Sequence, residues 1–185
     1  DLTKSGASTL ALSGRNNFAG AVSVTAGTLA LQNGSALADS ATVALSTGTT
    51  LTLSNSETIG GLSGAGNVNL SSNTLTVSQN TNTTYSGVIS GTGGLTKSGS
   101  GTLTLSGSNA YTGATTVSAG GLTLNGASGT LDDSTSVTVS TGAMLTLGAD
   151  DVVGLLSGAG TVAIGANEFV VGVGGGSSTF SGSIT

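Results

Sequence analysis

The sequence predicts an all-β chain wound as a right-handed, single-stranded parallel β-helix, a β-solenoid of roughly nine coils. Three observations predict it. Short segments alternate apolar with hydroxyl-bearing residues at period two, as in "TLTL" at 102–105 and "SVTVS" at 136–140, which is the pattern of half-buried strands. Comparable segments return about every 20 residues, the circumference of a solenoid coil. The 185 residues also include 33 glycines and no proline, and a proline would delete a ladder donor wherever it fell in a strand.

The spacing sets the coil. Leu105 to Leu124 is 19 residues, Leu124 to Leu147 is 23, and Leu147 to Ile164 is 17. Each coil is expected to supply two or three short strands, stacked at about 4.8 Å on the next coil, so that nine coils make a rod about 40 Å long. Glycine serves the corners, as in "TAGT", "STGT", "SAGG" and "STGA", where the chain turns sharply and needs positive φ. Inward Leu, Val and Ile then form ladders over an extended thin core, while outward Thr and Ser face water. A charge inside such a column is expensive.

The chain is also a duplication of two long units, 1–94 and 95–185, in one continuous architecture. Leu2 matches Leu95, Lys4 matches Lys97 and Leu31 matches Leu124 at an offset of 93 (95 − 2). The offset becomes 94 for Val43 with Val137 and for "LSGAG" at 62–66 with 156–160, so one residue is inserted near Asp132 and Asp133. Tyr85-Ser86-Gly87 meets Phe180-Ser181-Gly182 at 95.

The stretch "GLTKSGSGTLTLSGSNAYTGATTVSAGGLTLNG" at 94–126 resembles the autotransporter-associated β-strand repeat, also called the passenger-associated transport repeat, of Gram-negative type V secretion; "LTKSGASTLALSGRNNFAGAVSVTAGTLALQNG" at 2–34 is a degenerate copy. The shared features are the Leu-Thr-Lys-Ser-Gly opening, the alternating Leu pair, an Asn-aromatic-Gly triplet (Asn109, Tyr111, Gly113; Asn17, Phe18, Gly20) and the closing Ala-Gly-x-Leu. The resemblance implies a passenger exported through an outer-membrane translocator barrel that lies outside this sequence. It would be displayed at the cell surface or released, the repeat aiding folding and secretion. The function expected is a structural stalk that presents adhesive elements.

Composition narrows the alternatives. The 8 acidic and 3 basic residues give a net charge of −5 with no basic run, so nucleic acid is not an expected partner. Absence of Cys and His removes thiol catalysis and the usual transition-metal sites, and no cofactor or metal is expected. The start "DLTKSGASTL" lacks Met and the order of a secretory signal, as expected of a piece of something longer. No apolar run approaches the roughly 20 residues of a membrane helix. Five aromatics are too few for the girdles of a membrane barrel.

Candidate chemistry is sparse, and no enzyme is expected. Asp132-Asp133 and Asp150-Asp151 are the adjacent carboxylate pairs, but neighbours in a strand point to opposite faces and cannot flank one glycosidic bond at about 5–9.5 Å. They align with Asp39 and with Ser56-Glu57, and all are read as exposed turn residues. With a single Arg15, a polysaccharide-active enzyme is the weakest alternative. The run "GVGGGSS" at 172–178 lacks a carboxylate for calcium and a Lys for phosphate, and reads as a loop.

Lys4 and Lys97 read as solvated charges guarding strand edges. Tyr111 with Phe18, and Tyr85 with Phe180, read as packing aromatics at repeated positions. Alternation at Thr102–Thr104 and Thr74–Thr76 would make a flat threonine array of the ice-binding kind only with strict registration, which the 17 to 23 spacing does not predict. Expected partners are host glycans, matrix proteins or sibling passengers, bound through the loops Asn125–Ser134 and Gly172–Ser178, or through self-association at open strand edges.

Overall fold

The computed structural model describes residues 1–127, 130–173 and 175–185. The stretches 125–134 and 172–178 each include residues outside that set. Described residues form 24 short strands and no helix, and every pairing between them is parallel. The chain winds through three faces in turn. The first holds ten strands, Leu2–Lys4, Val22–Val24, Thr42–Leu45, Gly61–Gly64, Thr83–Tyr85, Thr102–Leu105, Gly121–Leu124, Met144–Leu147, Thr161–Ala163 and Ser183–Ile184. These mark about nine turns of a β-solenoid. Residues read as equivalent do pair, Leu105 with Leu124 and Leu124 with Leu147.

The second face carries Thr9–Leu12, Thr28–Leu31, Thr50–Leu53, Asn67–Asn69, Ile89–Gly91 and Ala110–Tyr111. By chain order the pair Asp151–Val153 and Phe169–Val171 continues it. The third runs from Glu57–Ile59 through Leu75–Ser78, Leu95–Ser98, Thr115–Val117 and Ser136–Val139 to Leu155–Gly158. Pairing of Leu75 with Leu95 carries the stack across the junction of the two units without a break. Strands alternate buried and half-exposed positions, and Leu29, Leu51, Leu75, Leu103, Leu122 and Val162 are fully buried along the axis.

Length differences between coils are absorbed at corners and in stretches that pass a face without a strand, 13–21 on the third face among them. Residues 33–41 replace a strand on the third face and 130–135, where described, lie in a stretch that replaces one on the second. Both are turns, with Ala36 N donating to Asn33 O in one and Thr135 N to Asp132 O in the other. Registers elsewhere stay strict because a strand slipped by one residue would turn its apolar set outward.

The two units are not related by translation along the axis. From Leu2–Lys4 on the first face, four coils lead to Thr83–Tyr85 on the same face, then Ile89–Gly91 on the second, and only then Leu95–Ser98 on the third. An offset of 93 residues is therefore four and two-thirds coils. Each segment of the second unit sits one face away from its counterpart in the first.

Candidate functional site

The features that the two repeats share converge inside the solenoid, starting with the lysines. Alternation that turns Leu95 inward also turns Lys97 inward, because the two are separated by one residue in a strand. Lys97 is fully buried and Lys4 is 6% exposed, so both depart from the expectation of solvated charges. Their ammonium groups are held by corner carbonyls. Lys97 Nζ donates to Ser98 O at 2.7 Å, Gly99 O at 2.9 Å and Ala119 O at 3.4 Å. Lys4 Nζ donates to Gly6 O at 2.6 Å and Ala26 O at 2.9 Å. Burial pushes the Lys97 pKa down, yet its three donors meet three acceptors, the condition under which a buried ammonium is tolerated.

This geometry joins the two ends of the repeat. Lys97 lies in register with Val117, and Lys4 with Val24, so each side chain spans its own corner and the corner one coil on. The "KSG" opening and the "AG" closing are one structural object, a staple between stacked turns. Gly27 and Gly120 complete it at φ +70° and +65°. A Cβ at Gly27 would overlap the carbonyl oxygens of Gly6 and Ser8, and one at Gly120 those of Gly99 and Gly101.

The asparagine position is equally specific. Asn109 is buried; its Oδ1 accepts from Ile89 N at 2.9 Å, and its Nδ2 donates to Gly107 O and Thr130 O at 3.1 and 2.9 Å. In the first unit the matching bonds belong to Asn16, whose Nδ2 donates to Gly14 O and Ala36 O at 3.0 and 2.8 Å. Asn16, rather than Asn17, is thus the counterpart of Asn109, in agreement with the offset of 93 (109 − 16). Tyr111 is fully buried and bonded to Thr115 Oγ1, while Phe18 packs against the core. Tyr85 is buried with its hydroxyl on Gly66 O. Its counterpart Phe180 makes the equivalent bridge, to Gly158, that Tyr85 makes to Gly64.

The carboxylates divide in two. Asp39, Asp133 and Asp150 are exposed. Asp132 caps its own turn, accepting from the amide and hydroxyl of Ser134, which holds its carboxyl below the usual range. Asp150 accepts from Glu168 N at 2.7 Å, as Ser56 Oγ accepts from Thr74 N at 3.0 Å in the first unit. Glu57 and Asp151 are both 2% exposed, which corrects their reading as exposed turn residues. Parity again explains it, since Glu57 shares a side with Ile59 and Asp151 with Val153.

These two buried carboxylates serve the strandless stretches at 33–41 and 130–135. Glu57 accepts from Ala36 N at 3.1 Å and Leu37 N at 2.9 Å; Asp151 accepts from Leu131 N at 3.3 Å and from its neighbour Val152 N at 2.9 Å. Amides that lost a ladder partner receive a carboxylate oxygen instead. Burial raises both pKa values, that of Asp151 to about 6, against the lowering effect of these amide bonds. Among the described residues no buried side-chain polar atom lacks a partner, and no three metal-ligating side chains converge. Small open clefts lie beside Ser23, Ala44 and Ser46, and beside Arg15, Asn17 and Asp39.

Residues 2–31 and 95–124 match the family model of the passenger-associated transport repeat. The matched stretches open just before the stapling lysines and close just after Ala26-Gly27 and Ala119-Gly120. No curated protein and no solved structure matches the chain. Two such repeats in one parallel β-solenoid fit an autotransporter passenger.

Proposed function

From two passenger-associated transport repeats set into one continuous solenoid, we propose that this chain is a non-enzymatic structural segment of an autotransporter passenger, displayed at or released from the surface of a Gram-negative bacterium. It forms a stiff stalk that holds adhesive elements away from the cell, and the repeats help the passenger to fold outside it. One observation carries the reading. The side chains that recur between the repeats, Lys97 with Lys4 and Asn109 with Asn16, tie coil to coil over the close corners at Gly120 and Gly27, whereas a binding module would spend its recurring residues on surface contacts. Because no barrier is crossed by a folded rod, stable stacking outside the membrane is what such staples would favour.

The test places Lys97→Met in the full passenger with its translocator and measures protease-resistant passenger at the cell surface. A loss of resistant passenger, with the translocator inserted normally, supports the reading. Undiminished resistant passenger argues against it.

Direct adhesion to host glycans, matrix proteins or sibling passengers is the second reading. It is favoured by the strandless stretches at 33–41 and 130–135, which break the regular faces and carry the exposed Asp39 and Asp133. Binding of the folded chain to an array of glycans and matrix proteins, lost when those stretches are scrambled, would move the assignment from stalk to adhesin.

A further inference from the structure

The third face carries a regularity that the coil spacing conceals. Thr58, Thr76, Thr96, Thr116, Thr138 and Ser157 stand in one outward column, each paired in register with the next. Beside them, two residues along each strand or its immediate end, run Ser78, Ser98, Ser118 and Ser140. A Thr-x-Ser row thus recurs in four consecutive coils, at 76–78, 96–98, 116–118 and 138–140. The strictness withheld on the evidence of spacing is present, because the extra residues enter at corners and in the strandless stretch and leave the register untouched.

Two properties set this face apart, and it shares with the other faces an outward side free of charge. No charged side chain points outward from its strands, since Glu57 and Lys97 both turn inward. Its threonine column is more uniform than the inward column beside it, which reads Glu57, Leu75, Leu95, Thr115, Val137 and Leu156. Burial explains uniformity inside a core and gives no reason for it outside. The other faces lack the four-coil paired rows: on the first, Thr84, Thr104, Thr123 and Thr146 are in register, but the column that follows them reads Ser86, Ser106, Asn125 and Gly148.

We propose that the third face binds ice, holding a layer of ordered water on its threonine and serine rows. Hydroxyls recur at about 4.8 Å along the axis and at roughly 6.8 Å across it, and methyls at about 4.8 Å along the threonine column. Water molecules seated between adjacent threonine methyls, each bonded to a hydroxyl, then take positions set by the protein, and an ice surface repeats along its a axis at close to the same interval. Absence of charge matters because an ammonium or carboxylate organises its own hydration shell. The area also discriminates. Six coils span five steps, roughly 24 Å, and with two columns the rows present on the order of 200 Å², well short of the roughly 800 Å² per partner of a stable protein complex. A protein partner would be held weakly there, whereas a growing crystal is held by many equivalent contacts that must all release together.

The experiment is ice shaping and thermal hysteresis of the folded 185-residue chain, with Thr96→Lys and Thr116→Lys as variants and Thr52→Lys on the second face as control. The lysines project outward from half-exposed positions, and circular dichroism checks that each variant folds. Expected are faceted crystals and a measurable freezing-point gap for the parent chain and for Thr52→Lys, with at least a tenfold loss for Thr96→Lys and Thr116→Lys. Round crystals and no gap with the parent chain at millimolar concentration overturn the proposal. So does an equal loss in the control, or retention of the chain on chitin or cellulose with none on ice. The outcome is independent of the passenger reading, which rests on interior staples.

Discussion

Tyr111 Oη and Thr115 Oγ1 are hydrogen-bonded inside the solenoid at 2.5 Å, and the positions that match them in the first unit hold Phe18 and Val22. The duplicated repeat has exchanged both partners of a buried polar pair together. That is the expected signature of a bond whose cost appears when one side is left unmet.

Either single change, Tyr111→Phe or Thr115→Val, is expected to lower stability by about 1–2 kcal/mol. The double change should cost less than the sum, with a coupling of about 1 kcal/mol. Urea midpoints of the four proteins decide it, and strict additivity would count against a direct bond.

Lys97→Met removes the donor shared by three corner carbonyls while keeping the length of the stem. Leaving those oxygens dry and unpartnered should cost about 2–3 kcal/mol, read as a lower urea midpoint at unchanged slope. An unchanged midpoint would mean that water replaces the ammonium and that no staple exists.

Asp151 gives the pH dependence its sign. Its carboxyl titrates at about 6 in the fold against 3.8 in the free chain, so between those values the folded state binds more protons than the unfolded one. Stability contributed by this group is fully present below about pH 4, falls as pH rises through 6, and is level beyond. Glu57 shifts in the same direction, and the half-exposed Asp132 in the opposite one. Urea midpoints should therefore decline between pH 4 and 6.5, and Asp151→Asn should flatten most of that decline.

Gly120→Ala should be among the most damaging of small substitutions, costing more than about 2 kcal/mol, because positive φ and overlap with two carbonyls act together. Gly142→Ala, at φ +80° but with open space around its Cβ, should cost about 1 kcal/mol. Thermal melts of the two variants compare them directly, and equal costs would remove steric crowding from the account of the corner.

The solenoid itself was legible because alternation at period two and return at about 20 residues are local or nearly local signals. The same alternation already placed Lys97 with Leu95, Lys4 with Leu2, Glu57 with Ile59 and Asp151 with Val153 on the inward side. Their charge outweighed their parity in the reading. Part of what justifies burying them, a carbonyl or amide on the neighbouring coil, lies 20 or more residues away, and the local partners at Gly6, Ser98, Gly99 and Val152 are backbone groups that no side chain announces. The Thr-x-Ser rows were missed for a related reason. Spacing counts every residue inserted between strands and so varies on the third face too, from 18 between Thr58 and Thr76 to 22 between Thr116 and Thr138, while the ladder register does not slip.

Four and two-thirds coils per unit has a mechanical meaning. A stretch with fewer ladder bonds than a strand is the more compliant side of a rod, and the counterparts at 33–41 and 130–135 lie on different faces. Were the soft sides aligned, thermal bending would accumulate in one plane and the rod would curl. Turned by one face from unit to unit, these two counterparts act like crossed grain in plywood: the bending each allows falls in a different plane, and the two do not add.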